Sequence, residues 1–150
     1  MNRRFDEIDI EIVRMVLGAK EIAVLGCSSH PQKPSHYVPQ YMQDQGYTII
    51  PVTTNQYVDR ILEEKVWRDL MSVPYDYDIL LVFRPSKEIP EIVNAYFSAP
   101  YQAPLVWFQA GIFDQESYER VESAGFKCVM DRCLMVEHQK MIADGGLTDV

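Results

Sequence analysis

The sequence predicts an α/β protein with a doubly wound, parallel sheet of about five strands and an extra helix at the amino terminus. Five short apolar runs alternate along the 150 residues with segments of helical spacing, and a polar loop follows each run. The runs are almost continuously apolar, which is typical of strands buried on both faces of a parallel sheet. No repeat, linker or low-complexity tract interrupts the alternation, so we expect residues 1–150 to form a single domain with its core at about 21–137.

The first two elements are a helix and a strand. Residues 6–17 place apolar side chains at helical spacing, with acidic residues early and Gly18 just past the end. This pattern predicts an amphipathic helix with a glycine stop, packed at the sheet edge. Residues 22–25 are apolar and β-prone, and they predict the first strand, which Gly26 ends.

Four further strands and four further helices are expected. The strands are predicted at 47–52, 77–83, 104–108 and 126–130, and the helices at 35–45, 88–97, 114–124 and 134–142. Ser86 and Asp114 are the expected amino-terminal caps of two of these helices.

Two segments fall outside this regular alternation. Within 56–70, Ile61 and Leu62 fit a short helix, and residues 66–67 fit an extended piece. The tail at about 143–150 contains two adjacent glycines and is expected to be frayed.

The composition limits the class of protein. With a net charge of −8, the chain lacks the excess of cations that a general nucleic-acid surface needs. No apolar run approaches the roughly 18 residues of a membrane span, and the amino terminus is too acidic for a signal peptide, so we expect a cytoplasmic protein. Cys27, Cys128 and Cys133 are an odd number of cysteines and are expected to be free thiols.

The loops that follow the strands are where function is expected, because doubly wound sheets bind ligands at the carboxyl ends of their strands. The first such loop contains Gly26, Cys27, Ser28 and Ser29 and leads into a helix. Such a turn presents backbone N–H groups and the positive end of a helix dipole to an anion, which predicts a phosphate-binding loop. An ordinary tight turn that needs Gly26 for its backbone angles explains the same residues equally well.

Two common nucleotide-binding motifs are absent from the sequence. The dinucleotide fingerprint needs three glycines in the first turn and an acid about 20 residues on, and a P-loop needs a GK[ST] string. Serines remain, together with Lys33, Arg84 and Lys87, and with Arg132 as a fourth candidate cation. These residues are spread over several strand exits and suit a long anionic ligand. Arg84, at the mouth of an apolar strand, is the cation most expected to pair with it.

The sequence shows no convincing catalytic machinery. Cys27 lies in the anion loop, where a helix dipole lowers a thiol pKa, and His30 is near it, but no orienting carboxylate is evident. Cys128 lies within a strand and is expected in the core. Cys133 fits either a thiol near the pocket or packing under the last helix. The cysteines and histidines show no recognised metal-ligand spacing, so neither an enzyme nor a metal site is predicted.

Five strings in the exit loops, taken together, resemble one known family. They are GCSSHPQKPSHYV, GYTIIPV, VFRPSKEIPEIV, VWFQAGI and AGFKCVMDRC, in that order, and the match extends from about residue 21 to 137. The first string is similar to the family's G-x-S-x-x-x-x-K-x-S loop, with Gly26, Ser28, Lys33 and Ser35 at matching places. On these motifs the chain resembles the small stand-alone CoA-binding family, which is similar to the CoA-binding domain of the succinyl-CoA synthetase α subunit.

The resemblance implies a Rossmann-like domain that binds coenzyme A or an acyl-CoA across its strand exits, without ligase activity. It assigns four parts of CoA to successive loops. These parts are the phosphates, the nucleotide side, the pyrophosphate or pantetheine arm, and the thiol end. The implied contacts, in that order, are Gly26, Ser28 and Lys33; Pro51, Val52 and Thr53; Phe83, Arg84 and Pro85; and Gln109, Gly111 and Ile112. Cys27 and Ser29, in the first loop, complete the expected CoA contacts.

The sequence departs from the family pattern after the second strand, where Thr53 and Thr54 replace Asn-Pro and Asn55 comes one place late. This departure leaves a second function open, that of an interaction or regulatory protein that kept the fold and lost or changed its nucleotide ligand. A thiol-dependent enzyme is a third alternative. We expect no nucleic-acid or membrane partner, whereas Trp107, Phe108 and the tyrosines offer an interface for a homo-oligomer or another protein.

Overall fold

A computed structural model describes residues 3–145 of the chain. Its parallel strands are β1 Glu21–Leu25, β2 Thr48–Val52, β5 Ile79–Val82, β6 Leu105–Phe108 and β7 Lys127–Val129. They form one sheet in the order β2–β1–β5–β6–β7. Two short antiparallel strands, β3 Arg60–Ile61 and β4 Glu64–Lys65, make a separate hairpin. The predicted parallel sheet of five strands is therefore confirmed.

Helices cover both faces of the sheet. They are α1 Ile10–Gly18, α2 Pro34–Asp44, α3 Ile89–Ser98, α4 Gln115–Ser123 and α5 Leu134–Ala143. Short 3₁₀ segments lie at Leu70–Ser72 and Ser86–Glu88. Side chains of α1, α2 and α5 share one buried cluster with the strands, and those of α3 and α4 share the other, which confirms the doubly wound, Rossmann-like architecture. Within residues 3–145, no helix has both the length and the apolar character needed to cross a membrane.

The central strands are buried completely. Every residue of β5 and β6 is buried, and Trp107 and Phe108 are 0% exposed. These two aromatic side chains point to opposite faces of the sheet, where helices cover them. The expectation that they form an interface with another protein is wrong, because β6 has a strand on each side and helices above and below.

The first helix begins later than the sequence predicts, at Ile10. Asp9 caps it, since its Oδ1 accepts the N–H of Ile12 at 2.9 Å. Ile12 and Val16 are 0% exposed in the cluster that covers one sheet face. The amphipathic stripe that the sequence predicts is therefore the buried side of this helix. The segment before the helix follows β7, where the carbonyl of Phe5 accepts the N–H of Met130 at 2.6 Å.

The segment expected to contain a short helix forms the β3–β4 hairpin instead. Leu62 and Glu63 make its turn with φ values of 54° and 66°, the left-handed conformation that tight hairpins require. Trp67 is extended, as predicted. Its N–H donates to the carbonyl of Pro51 at 2.9 Å, and its carbonyl accepts the N–H of Thr53 at 2.9 Å. This pairing covers the outer edge of β2, the edge on which a proline is tolerated.

Candidate functional site

Two adjoining clefts lie at the carboxyl ends of the strands, around β1 and β5, where the strand order reverses. The polar cleft, of about 320 Å³, lies between the loop at 26–35, the segment at 53–61, and Phe83 and Arg84. The apolar cleft, of about 640 Å³, lies between the first turns of α2 and α5 and the loops after β5 and β6. The two clefts share a wall, because Lys33, Ser35, Phe83 and Arg84 line both.

Gly26 brings the first loop close to the end of β5. Its φ is +86°, and its N–H donates to the carbonyl of Val52 at 2.8 Å. A Cβ at this position would lie 2.7 Å from the backbone oxygen of Phe83 and 2.9 Å from Cδ of Arg84. The backbone-angle explanation for this glycine is therefore correct, and the close approach to β5 is a second requirement that only glycine meets.

Ser28 is held by hydrogen bonds that fix the loop. Its N–H donates to the carbonyl of Ser35 at 3.1 Å, and its carbonyl accepts from Nδ1 of His36 at 2.7 Å. The carbonyl of Ser35 is available because Pro39, four residues later in α2, has no N–H to donate to it. The hydroxyl of Ser28 accepts the N–H of His30 at 3.0 Å. A proline inside the helix thus frees the carbonyl that orders the loop.

The polar cleft contains donors that the protein does not use itself. The backbone N–H groups of Cys27 and Ser29 make no hydrogen bond to any residue from 3 to 145. Lys33 is exposed at the amino-terminal end of α2. It has no carboxylate partner among the residues that the structure describes. Free N–H groups, an ammonium group and the start of a helix together favour an anion.

Arg84 is oriented by Glu88, four residues along the chain. Its Nε donates to Oε1 at 3.0 Å and its Nη2 to Oε2 at 2.8 Å. The hydrogen bonds of this pair raise the pKa of Arg84 and lower the pKa of Glu88. Within residues 3–145 its Nη1 makes no hydrogen bond, so the guanidinium keeps donors for a ligand while Glu88 fixes its direction.

The three cysteines are free thiols, as expected, but their surroundings differ. Cys27 is 4% exposed, and burial raises its pKa to about 12. The expected lowering of this pKa by a helix dipole is therefore wrong, because the side chain packs in the core cluster. Cys128 is 0% exposed and lies in the core, as predicted. Cys133 is half-buried; it both lines the apolar cleft and packs against the core cluster.

Residues of two helices and of the strand-exit loops together form the apolar cleft. Val38 of α2 is 0% exposed, whereas Tyr37 and Val136 are 41% and 39% exposed at the cleft. Pro85 and Ile112 contribute from the loops after β5 and β6. A surface of this kind suits an uncharged, flexible segment of a ligand.

Most of the predicted site residues lie at these clefts. Those that line at least one of them are Gly26, Cys27, Ser28, Ser29, Lys33, Thr53, Phe83, Arg84, Pro85, Gln109 and Ile112. Pro51, Val52 and Gly111 line neither. Pro51 and Val52 are buried within β2, and the N–H of Gly111 donates to Oδ1 of Asp131 at 2.6 Å, so these three residues stabilise the framework around the clefts.

Three further polar residues of the exit loops line neither cleft. Arg132 lines neither cleft, because its Nε donates to the carbonyl of Asp6 at 2.9 Å on the side of β7. Lys87 is exposed and also lies outside both clefts. Ser86 is not a helix cap; its hydroxyl accepts the N–H of Phe113 at 3.1 Å and connects the loops after β5 and β6.

Sequence reasoning missed the helix residues that line the apolar cleft. These include Tyr37, Val38, Met135 and Val136. A usable signal was present, since each lies in the early turns of a helix that directly follows a strand-exit loop. Asn55, which comes one place late in the family pattern, lines the polar cleft.

A cavity of similar size lies at the other end of β7, against α4. It has a volume of about 330 Å³, and its lining includes Arg3, Glu122 and Lys127. The side chain of Arg3 is 10% exposed, with Nη2 at 2.8 Å from Oε2 of Glu122 and Nε at 3.5 Å from Oδ2 of Asp9. Nζ of Lys127 lies 3.3 Å from Oε1 of Glu11. Each cation of this cavity therefore already has a carboxylate partner.

Comparison with known proteins identifies the family. The uncharacterized protein YneT of Bacillus subtilis is 36% identical over 128 residues, which are 85% of this chain and 92% of YneT. The structure of cell-free ID.343 from Thermus thermophilus has a TM-score of 0.81 at 35% identity, covering 89% of this chain and 98% of that one. The ADP-forming acetate–CoA ligase II of Archaeoglobus fulgidus is 30% identical over 93 residues, which are 61% of this chain but 13% of the ligase. Residues 20–139 match the family model described as a CoA binding domain, and the chain therefore belongs to the family of stand-alone CoA-binding domains.

Proposed function

We propose that this protein binds coenzyme A or an acyl-CoA at the carboxyl ends of its parallel strands, without catalysing a reaction on it. The observation that carries this proposal is the shared wall of the two clefts, where Lys33 and Arg84 stand between a polar and an apolar cleft. CoA has the same two parts, an anionic nucleotide and an uncharged pantetheine arm. Membership of the CoA-binding domain family supports this ligand.

The anionic part of CoA is assigned to the polar cleft. Lys33, Arg84 and the free N–H groups of Cys27 and Ser29 supply charge and donors for the phosphates. Thr53 lines the same cleft and is assigned to the nucleotide side. The polar cleft, with a volume of about 320 Å³, lies within the range of ordinary ligand sites.

The pantetheine arm is assigned to the apolar cleft. Phe83 lies on the shared wall, and Pro85 follows it along the lining. Gln109 and Ile112 lie beyond them, where the thiol end of the arm is placed. The larger volume of this cleft, about 640 Å³, suits the longer and uncharged part of the ligand.

Binding without catalysis is part of the proposal. Cys27 has the only thiol in the first loop, and burial raises its pKa to about 12, so it is protonated and unreactive at neutral pH. Among residues 3–145, no group of three or more His, Cys, Asp or Glu side chains is placed to hold a metal ion. The buried, protonated thiol of Cys27 is the observation that favours a binding module.

An interaction or regulatory protein that has lost its ligand is the alternative function. The departure at Thr53, Thr54 and Asn55 motivates it. Thr53 and Asn55 both line the polar cleft, however, so the departure leaves polar groups beside the proposed nucleotide. We therefore favour CoA binding over the alternative, in which the protein has lost or changed its nucleotide ligand.

Titration calorimetry with CoA, acetyl-CoA, NAD and ADP tests the proposal. We expect CoA and acetyl-CoA to bind, ADP to bind more weakly because it lacks the arm, and NAD to be rejected. Thermal stabilisation by CoA is the expected parallel result. Binding of NAD with no response to CoA would contradict the proposal, and no response to any of the four ligands would favour the alternative function.

A further inference from the structure

Gln109 is a buried amide in the lining of the apolar cleft. It follows β6 directly and is 5% exposed. Its Oε1 accepts the backbone N–H of Leu134, the first residue of α5, at 2.8 Å. Because a backbone N–H can only donate, this bond identifies the oxygen of the amide and fixes Nε2 as the other end.

Nε2 of Gln109 makes no hydrogen bond to any residue from 3 to 145. Within the same residues the fully buried side-chain atoms without a partner are Nε of Arg3 and the hydroxyl of Tyr77, so Nε2 of Gln109 keeps some accessible surface. More than nine-tenths of the residue is buried, and the open space that it borders is the apolar cleft. A ligand that covers this donor must offer it an acceptor, because a donor that loses its hydrogen bond to water and gains none is costly. The amide therefore offers a fixed donor to an oxygen atom of a ligand in this cleft.

The lining of the apolar cleft indicates which kind of oxygen suits Nε2 as an acceptor. Ile112, Met135 and Val136 are apolar, and no carboxylate lines the cleft. The charged side chains of the lining are Lys33 and Arg84, which lie on the wall shared with the polar cleft. An uncharged carbonyl oxygen suits a neutral donor in such surroundings, since a buried charge without an opposite charge is strongly unfavourable.

We propose that Nε2 of Gln109 donates to the carbonyl oxygen of a thioester, and that an uncharged acyl chain occupies the apolar cleft beside it. This ligand assignment rests on the proposed CoA binding, because phosphates held at Lys33 and Arg84 direct the arm across the shared wall and bring its sulfur into the apolar cleft. The preferred ligand is then an acyl-CoA with an uncharged chain of several carbons. Free CoA and CoA esters of dicarboxylic acids bind more weakly.

A series of ligands tests this assignment on the unaltered protein by titration calorimetry. Octanoyl-CoA is expected to bind at least about tenfold more tightly than CoA, since each fully buried methylene contributes about fourfold. Butanoyl-CoA is expected to bind more tightly than succinyl-CoA, which has the same number of carbons and an added carboxylate. S-octyl-CoA, a thioether without the carbonyl, is expected to bind about tenfold more weakly than octanoyl-CoA.

Three variants locate the effect within the molecule. Val136→Asp places a charge in the cleft and should weaken octanoyl-CoA binding about tenfold more than it weakens CoA binding, because CoA has no acyl chain to place beside the charge. Ile142→Asp is the matched control on the same helix, 49% exposed and outside the cleft, and should change neither. In Gln109→Glu one oxygen can still accept the Leu134 N–H while the donor is lost, so the difference between octanoyl-CoA and S-octyl-CoA should disappear.

The outcomes separate this inference from the proposed function. Equal affinity for CoA and octanoyl-CoA would overturn the acyl-chain assignment and leave CoA binding intact. Equal affinity for octanoyl-CoA and S-octyl-CoA would overturn the role of Gln109, even if both bound more tightly than CoA. Failure of every CoA compound to bind would overturn the proposed function and this inference together.

Discussion

The polar cleft and the cavity at Arg3 have nearly the same volume, about 320 and 330 Å³, and both contain cations. They differ in what those cations contact. Arg3 pairs with Glu122 and Asp9 and also donates from Nη2 to the carbonyl of Cys128 at 2.6 Å. Lys33 has no carboxylate partner among the described residues, and the N–H groups beside it are free.

The difference shows that neither size nor the presence of an arginine identifies an anion site. Both Nη groups of Arg3 donate to acceptors of the protein, so this guanidinium contributes to folding and has little left for a ligand. Arg84 is also paired with a carboxylate, that of Glu88, but it makes no hydrogen bond from Nη1 to residues 3–145. A cleft whose donors remain free offers them to an anion without first breaking protein contacts. We therefore assign a structural role to the cavity at Arg3 and a binding role to the polar cleft.

The largest expected effect is on folding at the Arg3 cavity. Arg3→Ala should lower the free energy of unfolding by about 3 kcal/mol, because it leaves Glu122 and Asp9 without their partner and removes hydrogen bonds that fasten the amino-terminal segment. Urea denaturation measures this loss, and CoA affinity should not change. Lys140→Ala is the control, since Lys140 is 62% exposed and its contact with Glu137 should contribute little. An unchanged free energy of unfolding in Arg3→Ala would contradict the structural role of the Arg3 cavity.

Gly26→Ala should affect the polar cleft through its backbone. The positive φ and the contact of the new Cβ with the Phe83 carbonyl should together lower the free energy of unfolding by about 2 kcal/mol and abolish CoA binding. Gly125→Ala is the matched control. Its φ is +95°, but a Cβ there meets nothing within 4 Å, so only the backbone strain is shared. Equal losses in the two variants would show that the close approach to β5 is unimportant.

The two cations of the shared wall are expected to have the next largest effect. Arg84→Ala should weaken CoA binding by more than about 1 kcal/mol, the scale of a lost charge-assisted hydrogen bond, and Lys33→Ala by about 1 kcal/mol. Lys87→Ala removes a charge from the same loop outside both clefts and should leave the affinity unchanged. Calorimetric titration gives all three values. An unaltered affinity in Arg84→Ala would mean that the guanidinium does not contact the ligand.

The smallest expected effect lies away from both cavities, at His138. Burial lowers the pKa of this side chain, which is 3% exposed and hydrogen-bonded at 2.9 Å to the hydroxyl of Tyr41. The unfolded chain therefore takes up the proton first, at a pKa of about 6.5. The contribution of neutral His138 to the free energy of unfolding should be fully present above that pH. It should be lost as the pH decreases toward the lower pKa of the folded state. Urea titrations from pH 7.5 to 5.5 should show a smaller decrease for His138→Gln than for the exposed control His30→Gln.

The regular elements of the fold could be predicted because their signals are local. Asp114 caps α4 as expected, with its side chain accepting the N–H of Ser117 at 3.1 Å. The hairpin turn at Leu62 and Glu63 could not be predicted, since neither residue is one of those that usually adopt a positive φ. Its conformation depends instead on the hairpin around it. The position of α1 also depends on tertiary packing, which helical spacing alone does not determine.

The candidate site could be predicted only in part for the same reason. The first loop, Lys33 and Arg84 follow strand ends, and strand ends of one parallel sheet meet at one edge. The choice of ion-pair partners is not local, and Arg132 therefore turned out to contact Asp6 rather than the clefts. The hydrogen bond between Ser28 and Ser35 depends on the missing N–H of Pro39. Pro39 lies outside the binding motif, so the motif does not predict this hydrogen bond.

Backbone amide NMR shifts during a CoA titration test the central claim most directly, since they report on both cavities in one sample. We predict that the largest shifts occur at the N–H groups of Cys27 and Ser29 and around Arg84, and that those of Tyr118 and Glu122 beside the Arg3 cavity stay unchanged. Shifts centred on Tyr118 and Glu122, with none in the first loop, would contradict the claim that free donors, rather than cavity size, determine where this protein binds its ligand.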